Sequence, residues 1–190
     1  MAIILASASP RREELLRQVG CEFTIITSDV AEDNDKALPP AELAVGHARA
    51  KAVSVAGQVA ADDVVIGADT IVVLAGQVFG KPQDAADARR MLLALAGREH
   101  QVMTGIAVVT GGRVYSDLAV TNVRMRAYSD AALDKYLVSG EPMGKAGAYA
   151  IQGLGALLVE GITGCYANVV GLPLVTLDKL LYEATGAGLL

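Results

Sequence analysis

Apolar residues along this chain come in short blocks, and the spacing inside each block separates strands from helices. Residues 2–6 are continuously apolar and too few for a helix, which predicts a short buried strand. Ser9 and Pro10 then read as the N-cap and first turn of a helix whose Leu15, Leu16 and Val19 share a face, with Gly20 as its stop. Residues 22–27 alternate and carry Phe23, Ile25 and Ile26, a strand pattern; residues 28–38 form an acidic loop containing Glu32. Residues 39–55 show helical spacing through Leu43, Ala44, His47, Ala50 and Lys51. Residues 64–73 form the most strand-like run, which Ala75-Gly76-Gln77 turns into a short partner strand. A helix is predicted over 84–95, two long strands over 100–110 and 113–125 about Gly111-Gly112, and a helix over 129–138 capped by Ser129. A glycine-rich segment at 139–155, a strand at 157–162, a helix over 169–182 and a frayed tail at 184–190 complete the pattern. Helices alternating with strands about a central hairpin imply an α/β class with a mixed sheet, here taken as one domain over 1–190.

Composition narrows what such a fold can be. Hydrophobic residues make up 53% and charged residues 19% of 190, as in a globular chain. The mean hydropathy of +0.41 raises the question of a membrane. The longest apolar run, residues 64–79, is interrupted by Asp69, Thr70 and Gln77, so no spanning helix is expected. No basic leader precedes the first strand, and no secretory signal is expected. A net charge of −5 and few aromatic residues argue against a general nucleic-acid binder. Cys21 and Cys165 have no zinc spacing and are expected to be reduced and buried, which points to the cytoplasm. His47 and His100, isolated in sequence, make neither a metal cluster nor a triad.

Chemistry concentrates at a few places. In Ser7-Ala8-Ser9-Pro10-Arg11-Arg12 two hydroxyls, helix N-terminal N–H groups and two guanidinium groups come together, as a phosphate or carboxylate ligand requires. Arginines are unfavourable at a helix start, where acids are preferred, so stability alone does not account for the pair. Asp69 interrupts an otherwise buried strand; such a carboxylate is either a structural residue with an internal partner or a metal ligand or general base. Lys51, Lys81, Lys145, Gln152 and Glu32 are each weak signals alone. Together, basic groups for phosphates and carboxylates for a cation suggest phosphoanhydride chemistry. No Walker-type P-loop and no Rossmann glycine fingerprint occurs, which disfavours an ordinary ATPase or dehydrogenase.

The ordered set Ser7-Ala8-Ser9-Pro10-Arg11-Arg12, Glu32, Lys51-Ala52, Gly67-Ala68-Asp69-Thr70, Gly80-Lys81-Pro82, Gly147-Ala148-Tyr149-x-Ile151-Gln152-Gly153 and Asn168-Val169-Val170-Gly171-Leu172-Pro173 resembles the Maf proteins over essentially the whole chain. The resemblance implies a strongly twisted mixed sheet flanked by helices, in two lobes around a cleft and related to inosine-triphosphate pyrophosphatases. It also implies a pyrophosphatase that cleaves nucleoside triphosphates between the α- and β-phosphates with Mg²⁺ or a similar cation. By the same resemblance Asp69 is the expected proton acceptor. Asp69 and Glu32 are the two carboxylates available for the cation, and since one that coordinates it directly is a weak base, the division of base and ligand roles between them stays open. Ser7, Arg11, Arg12, Glu32, Lys51, Thr70, Lys81 and Gln152 contact substrate. Arg12, Thr70 and Gln152 fill the three positions that mark the dTTP/UTP branch, rather than the 7-methyl-GTP branch. A nucleotide-binding regulator of septum formation is the alternative from another class. A homodimer is compatible with the resemblance; nucleic acid and membrane are not expected partners. Gly144 stands where the family pattern has aspartate.

Overall fold

The computed structural model describes residues 1–31 and 38–190. In chain order these form β1 (Ile3–Leu5), α1 (Pro10–Gln18), β2 (Thr24–Ile25), α2 (Pro40–Ala56), β3 (Val64–Leu74), β4 (Gln77–Phe79), α3 (Ala85–Leu95), β5 (Glu99–Thr110), β6 (Arg113–Met125), α4 (Asp130–Val138), β7 (Val159–Thr163), α5 (Tyr166–Val170) and α6 (Leu174–Thr185). Short 3₁₀ turns cover Ala146–Ala148 and Gly153–Leu158. The seven strands pair in the order β2-β1-β3-β5-β6-β7, with β4 hydrogen-bonded to β3. β1 is parallel to both β2 and β3, whereas β4 and β7 pair antiparallel to β3 and β6. Parallel pairing demands long crossovers, which α1 and α2 supply. The sheet is mixed, as the pattern of elements predicts.

Two compact units emerge: Met1–Asp69 with Thr104–Ala119 and Gly171–Leu190, and Thr70–Met103 with Val120–Val170. In the first, Ile4 and Ala6, Val65, Ala107 and Val109 pack against Ala48, Ala52 and Val55 of α2. Alternation along β3 puts Gly67 and Asp69 on the same face as Val65. At Gly67 and Gly105 the helix backbone lies directly on the sheet. A Cβ at Gly67 would overlap the Ala48 carbonyl oxygen and stand 2.9 Å from the Ala52 nitrogen. At Gly105 it would overlap the Ala44 carbonyl and stand 2.6 Å from the Val45 nitrogen. Ala44, Ala48 and Ala52, four residues apart and fully buried, form the matching stripe on α2.

The second unit is built around Val72, Phe79, Leu92, Leu95, Met125, Leu133, Tyr136 and Tyr149. Within it His100, 2% exposed, sits edge-on to Tyr149, with Nε2 and the hydroxyl 2.7 Å apart. Burial lowers the His100 pKa to about 4 and raises that of Tyr149.

Several boundaries differ from the sequence pattern. The strand expected over 22–27 reduces to Thr24–Ile25, because its partner β1 offers only Ile4 and Leu5 to pair with. The helix expected over 169–182 is two helices. Gly171 has φ 128°, and Pro173 disfavours helical backbone at Leu172, so α5 ends at Val170 and α6 begins at Leu174. The tail is tied rather than frayed: Gly186 caps α6 at φ 81°, and Leu189 N–H donates to Asp178 Oδ1 at 2.5 Å. Both cysteines are free thiols, as expected, but half-buried rather than buried. Among the described residues no helix is long and apolar enough to cross a membrane.

Two outcomes follow from this packing. Gly67→Ala should lower stability by about 3 kcal/mol, read as a fall in the urea midpoint, because neither backbone can yield independently. His100 is lowered in the folded chain from an ordinary value near 6.5, so the unfolded chain binds the extra proton first. The stability is intact above pH 6.5 and should fall by about 3 kcal/mol as pH drops to about 4. His100→Gln, which keeps a donor for Tyr149 and removes the titration, should flatten that part of the denaturation profile.

Candidate active site

The hexapeptide at the N-terminus links β1 to α1. Ser9 occupies the N-cap position with extended backbone but makes no side-chain cap bond, and Pro10 opens the helix as expected. Ser9 N–H instead donates to Ser7 Oγ at 3.2 Å, and Arg12 Nη1 donates to the same oxygen at 3.0 Å. Ser7 is 8% exposed. A hydroxyl oxygen has two lone pairs, and both are occupied here. Ser7 can therefore offer a ligand its O–H but is a poor nucleophile. Arg12 Nε donates to the Gly171 carbonyl at 2.8 Å, so one guanidinium joins the N-terminal motif to the Asn168–Pro173 motif. Arg11, beside it, is half-buried. The charge conflict of arginines at a helix start is eased by Glu13 in the first turn, itself paired with Arg17 at 2.5 Å.

A second cluster forms where α2 meets β3. Asp69 is 5% exposed. Lys51 Nζ donates to its Oδ1 at 2.6 Å, and His47 Nδ1 lies 3.1 Å from its Oδ2. His47 and Lys51 are four residues apart, hence neighbours on one helix face. The Asp69 partner left open by the sequence is thus a lysine and a histidine together. The sequence marks Lys51 but not His47, whose only signal is its helical spacing to Lys51.

The remaining described site residues belong to the second unit. Thr70 follows Asp69 on β3 and is half-buried, Lys81 is exposed, and Gln152 is half-buried just before a 3₁₀ turn. The Gly80-Lys81-Pro82 turn is joined to the glycine-rich segment by Gly147 N–H donating to the Gly80 carbonyl at 3.0 Å. Gly147 needs its glycine: φ is 67°, and a Cβ would meet Val72 Cγ2 at 2.9 Å. The Gln152 loop is held by Glu141, whose two carboxylate oxygens accept from Leu154 N–H (2.9 Å) and Gly155 N–H (3.1 Å). Glu141 was not expected from the sequence. Gly144 is exposed at φ 72°, with open space where a Cβ would project. Glu32 lies outside the described residues.

A family model described as Maf-like protein matches residues 2–184. The chain belongs to the Maf family. The dTTP/UTP pyrophosphatase of Vibrio cholerae serotype O1 is 48% identical over 181 residues, covering 95% of this chain and 97% of that one. The dTTP/UTP pyrophosphatase of Gloeobacter violaceus is 50% identical over 181 residues, covering 95% of each. Among solved structures, the nucleoside-triphosphatase / dITP/XTP pyrophosphatase of Mycobacterium abscessus overlaps 66% of this chain and 74% of its own at 16% identity, with a TM-score of 0.41. That overlap is too loose to inform the chemistry. The Maf motifs of the first unit fall into two hydrogen-bonded groups: Ser7, Arg12 and Gly171, and Lys51 with Asp69.

Removing one member of the buried Lys51–Asp69 pair strands the other charge. Lys51→Met should destabilise by about 4 kcal/mol. Lys51→Met with Asp69→Asn should be clearly less destabilised than the sum of the two singles, read from a double-mutant cycle in urea.

Proposed function

We propose that this chain is a nucleoside triphosphate pyrophosphatase that hydrolyses dTTP and UTP to the monophosphate and pyrophosphate. The observation that carries the reading is near-full-length identity of 46–50% to relatives named dTTP/UTP pyrophosphatase. The buried Asp69 carboxylate, anchored at both oxygens, supports it independently. Such a group on a rigid strand can accept a proton from an attacking water.

Asp69 is the proton acceptor in this reading. Lys51 balances its charge, and the pair keeps the carboxylate on the strand it leaves. Ser7 donates its hydroxyl proton to a phosphate oxygen. Arg11, Arg12 and Lys81 neutralise the triphosphate and the departing pyrophosphate, which is where phosphoanhydride hydrolysis needs positive charge. Thr70 and Gln152 read the pyrimidine edge, with Glu141 holding the loop that carries Gln152. A base lacking the matching polar groups would leave them unpaired, which costs affinity.

The donor set at Asp69 suits a hard divalent cation. A carboxylate oxygen retains a second lone pair beside its lysine or histidine partner, and Mg²⁺ commonly takes one or two carboxylates along with substrate phosphates. Asp69 and Glu32 are the two carboxylates for it; one bound directly to the cation is a weak base, so Glu32 would take the direct bond and leave Asp69 to accept the proton. When bound, the cation supplies further charge neutralisation on the phosphate oxygens. Activity is therefore expected to disappear with chelator and return with Mg²⁺. The nucleotide pool of the cytoplasm is the setting this activity implies.

The test is pyrophosphate release from UTP, dTTP and 7-methyl-GTP with Mg²⁺. Release from the two pyrimidine nucleotides should exceed that from 7-methyl-GTP by tenfold or more, on the order of what one mismatched polar contact provides. Preference for 7-methyl-GTP would overturn the substrate assignment. Absence of release from all three would remove the enzymatic reading and favour a nucleotide-binding regulator.

A further inference from the structure

The pair of anchors on Asp69 is unequal in what each explains. Lys51 supplies the opposite charge that a buried carboxylate requires. His47 is not needed for that, yet its Nδ1 lies 3.1 Å from Oδ2, with 12% and 7% of the two side chains exposed. An ionised carboxylate only accepts hydrogen bonds, so the Nδ1 that faces it carries the proton. The torsion about the Asp Cβ–Cγ bond is broad, and a carboxylate held at one oxygen can swing. Donors on both oxygens, from successive turns of one helix that itself rests on the sheet at Gly67 and Gly105, fix the carboxylate plane.

We infer that His47 is a positioning residue for the reaction: its Nδ1–H holds the Asp69 carboxylate in the orientation from which a remaining lone pair of its anchored oxygens meets the attacking water. The inference rests on the catalytic reading of Asp69. It adds a residue that acts on turnover through Asp69 without touching substrate. Misplacement of a reacting group by a fraction of an ångström to one ångström carries rate losses of up to about a hundredfold. Loss of one of two anchors should fall within that range.

Three variants test it with UTP and Mg²⁺. His47→Leu keeps much of the volume and removes the donor. His47→Asn restores a donor, since its Nδ2 takes the place of Nδ1. Asp69→Asn is the control for the reading beneath. His47→Leu should lower kcat by about tenfold with KM unchanged within about twofold, and His47→Asn should return kcat to within about threefold of wild type. The inference is overturned if His47→Leu turns over at the wild-type rate. It is also overturned if His47→Asn is as impaired as His47→Leu, or if the loss appears in KM alone. Turnover retained in Asp69→Asn would instead defeat the catalytic reading of Asp69, and the role of His47 with it. An inactive Asp69→Asn beside a normal His47→Leu would defeat only the role of His47.

Discussion

The contact on which the first unit depends is the one between backbones, where α2 meets β3 at Gly67 and β5 at Gly105 with no sheet side chain between them at those two points. Glycine at 67 and 105, and alanine at 44, 48 and 52, are what permit it. The closeness has a chemical use. Lysine and histidine reach from one helix face to a carboxylate on the adjoining strand, and the short approach lets Lys51 end at 2.6 Å from Asp69 while remaining buried along its stem. Were α2 lifted by the thickness of ordinary side chains, the same lysine would have to extend across a gap and the carboxylate would be left open to water. Small residues in the core thus serve the electrostatics of the site as much as its packing.

The N-terminal motif follows a different logic. There the polar groups bind each other before any ligand arrives. Ser7 accepts from Ser9 and Arg12, and Arg12 spans to Gly171. Preorganisation of this kind means that a phosphate would meet groups whose directions are already fixed, so less ordering remains to be done on binding. Arg12, which looks misplaced for helix stability, is explained once it is seen to hold two parts of one unit together.

What the sequence reveals follows the range of the interactions. Elements set by local signals are legible: Asp84 caps α3 by accepting from Asp87 N–H, Ser129 caps α4 by accepting from Ala132 N–H, and Ala75-Gly76 turns β3 into β4. Boundaries set by partners are not. β2 is short because β1 is short, and α5 and α6 separate at a glycine and proline whose backbone angles matter more than the apolar spacing around them. At the site, residue types that announce themselves, such as a carboxylate inside an apolar strand or paired arginines, stand out. His47 and Glu141 do not, because their significance lies in what they reach: His47 the far oxygen of Asp69, Glu141 two amides of the Gln152 loop.

The Arg12–Gly171 bond has a consequence for the making of the protein. Its two residues are 159 positions apart, and the second unit in between is encoded in segments that interrupt the first. On a ribosome Arg12 emerges early and stays without the carbonyl that steadies it until Gly171 has been synthesised. Residues 70–103 and 120–170 can bury their own core before then, since both segments precede Gly171. The nascent chain therefore completes this corner late: a chain that stops short of Gly171 keeps the local bond from Arg12 to Ser7 but lacks the second anchor of the same guanidinium.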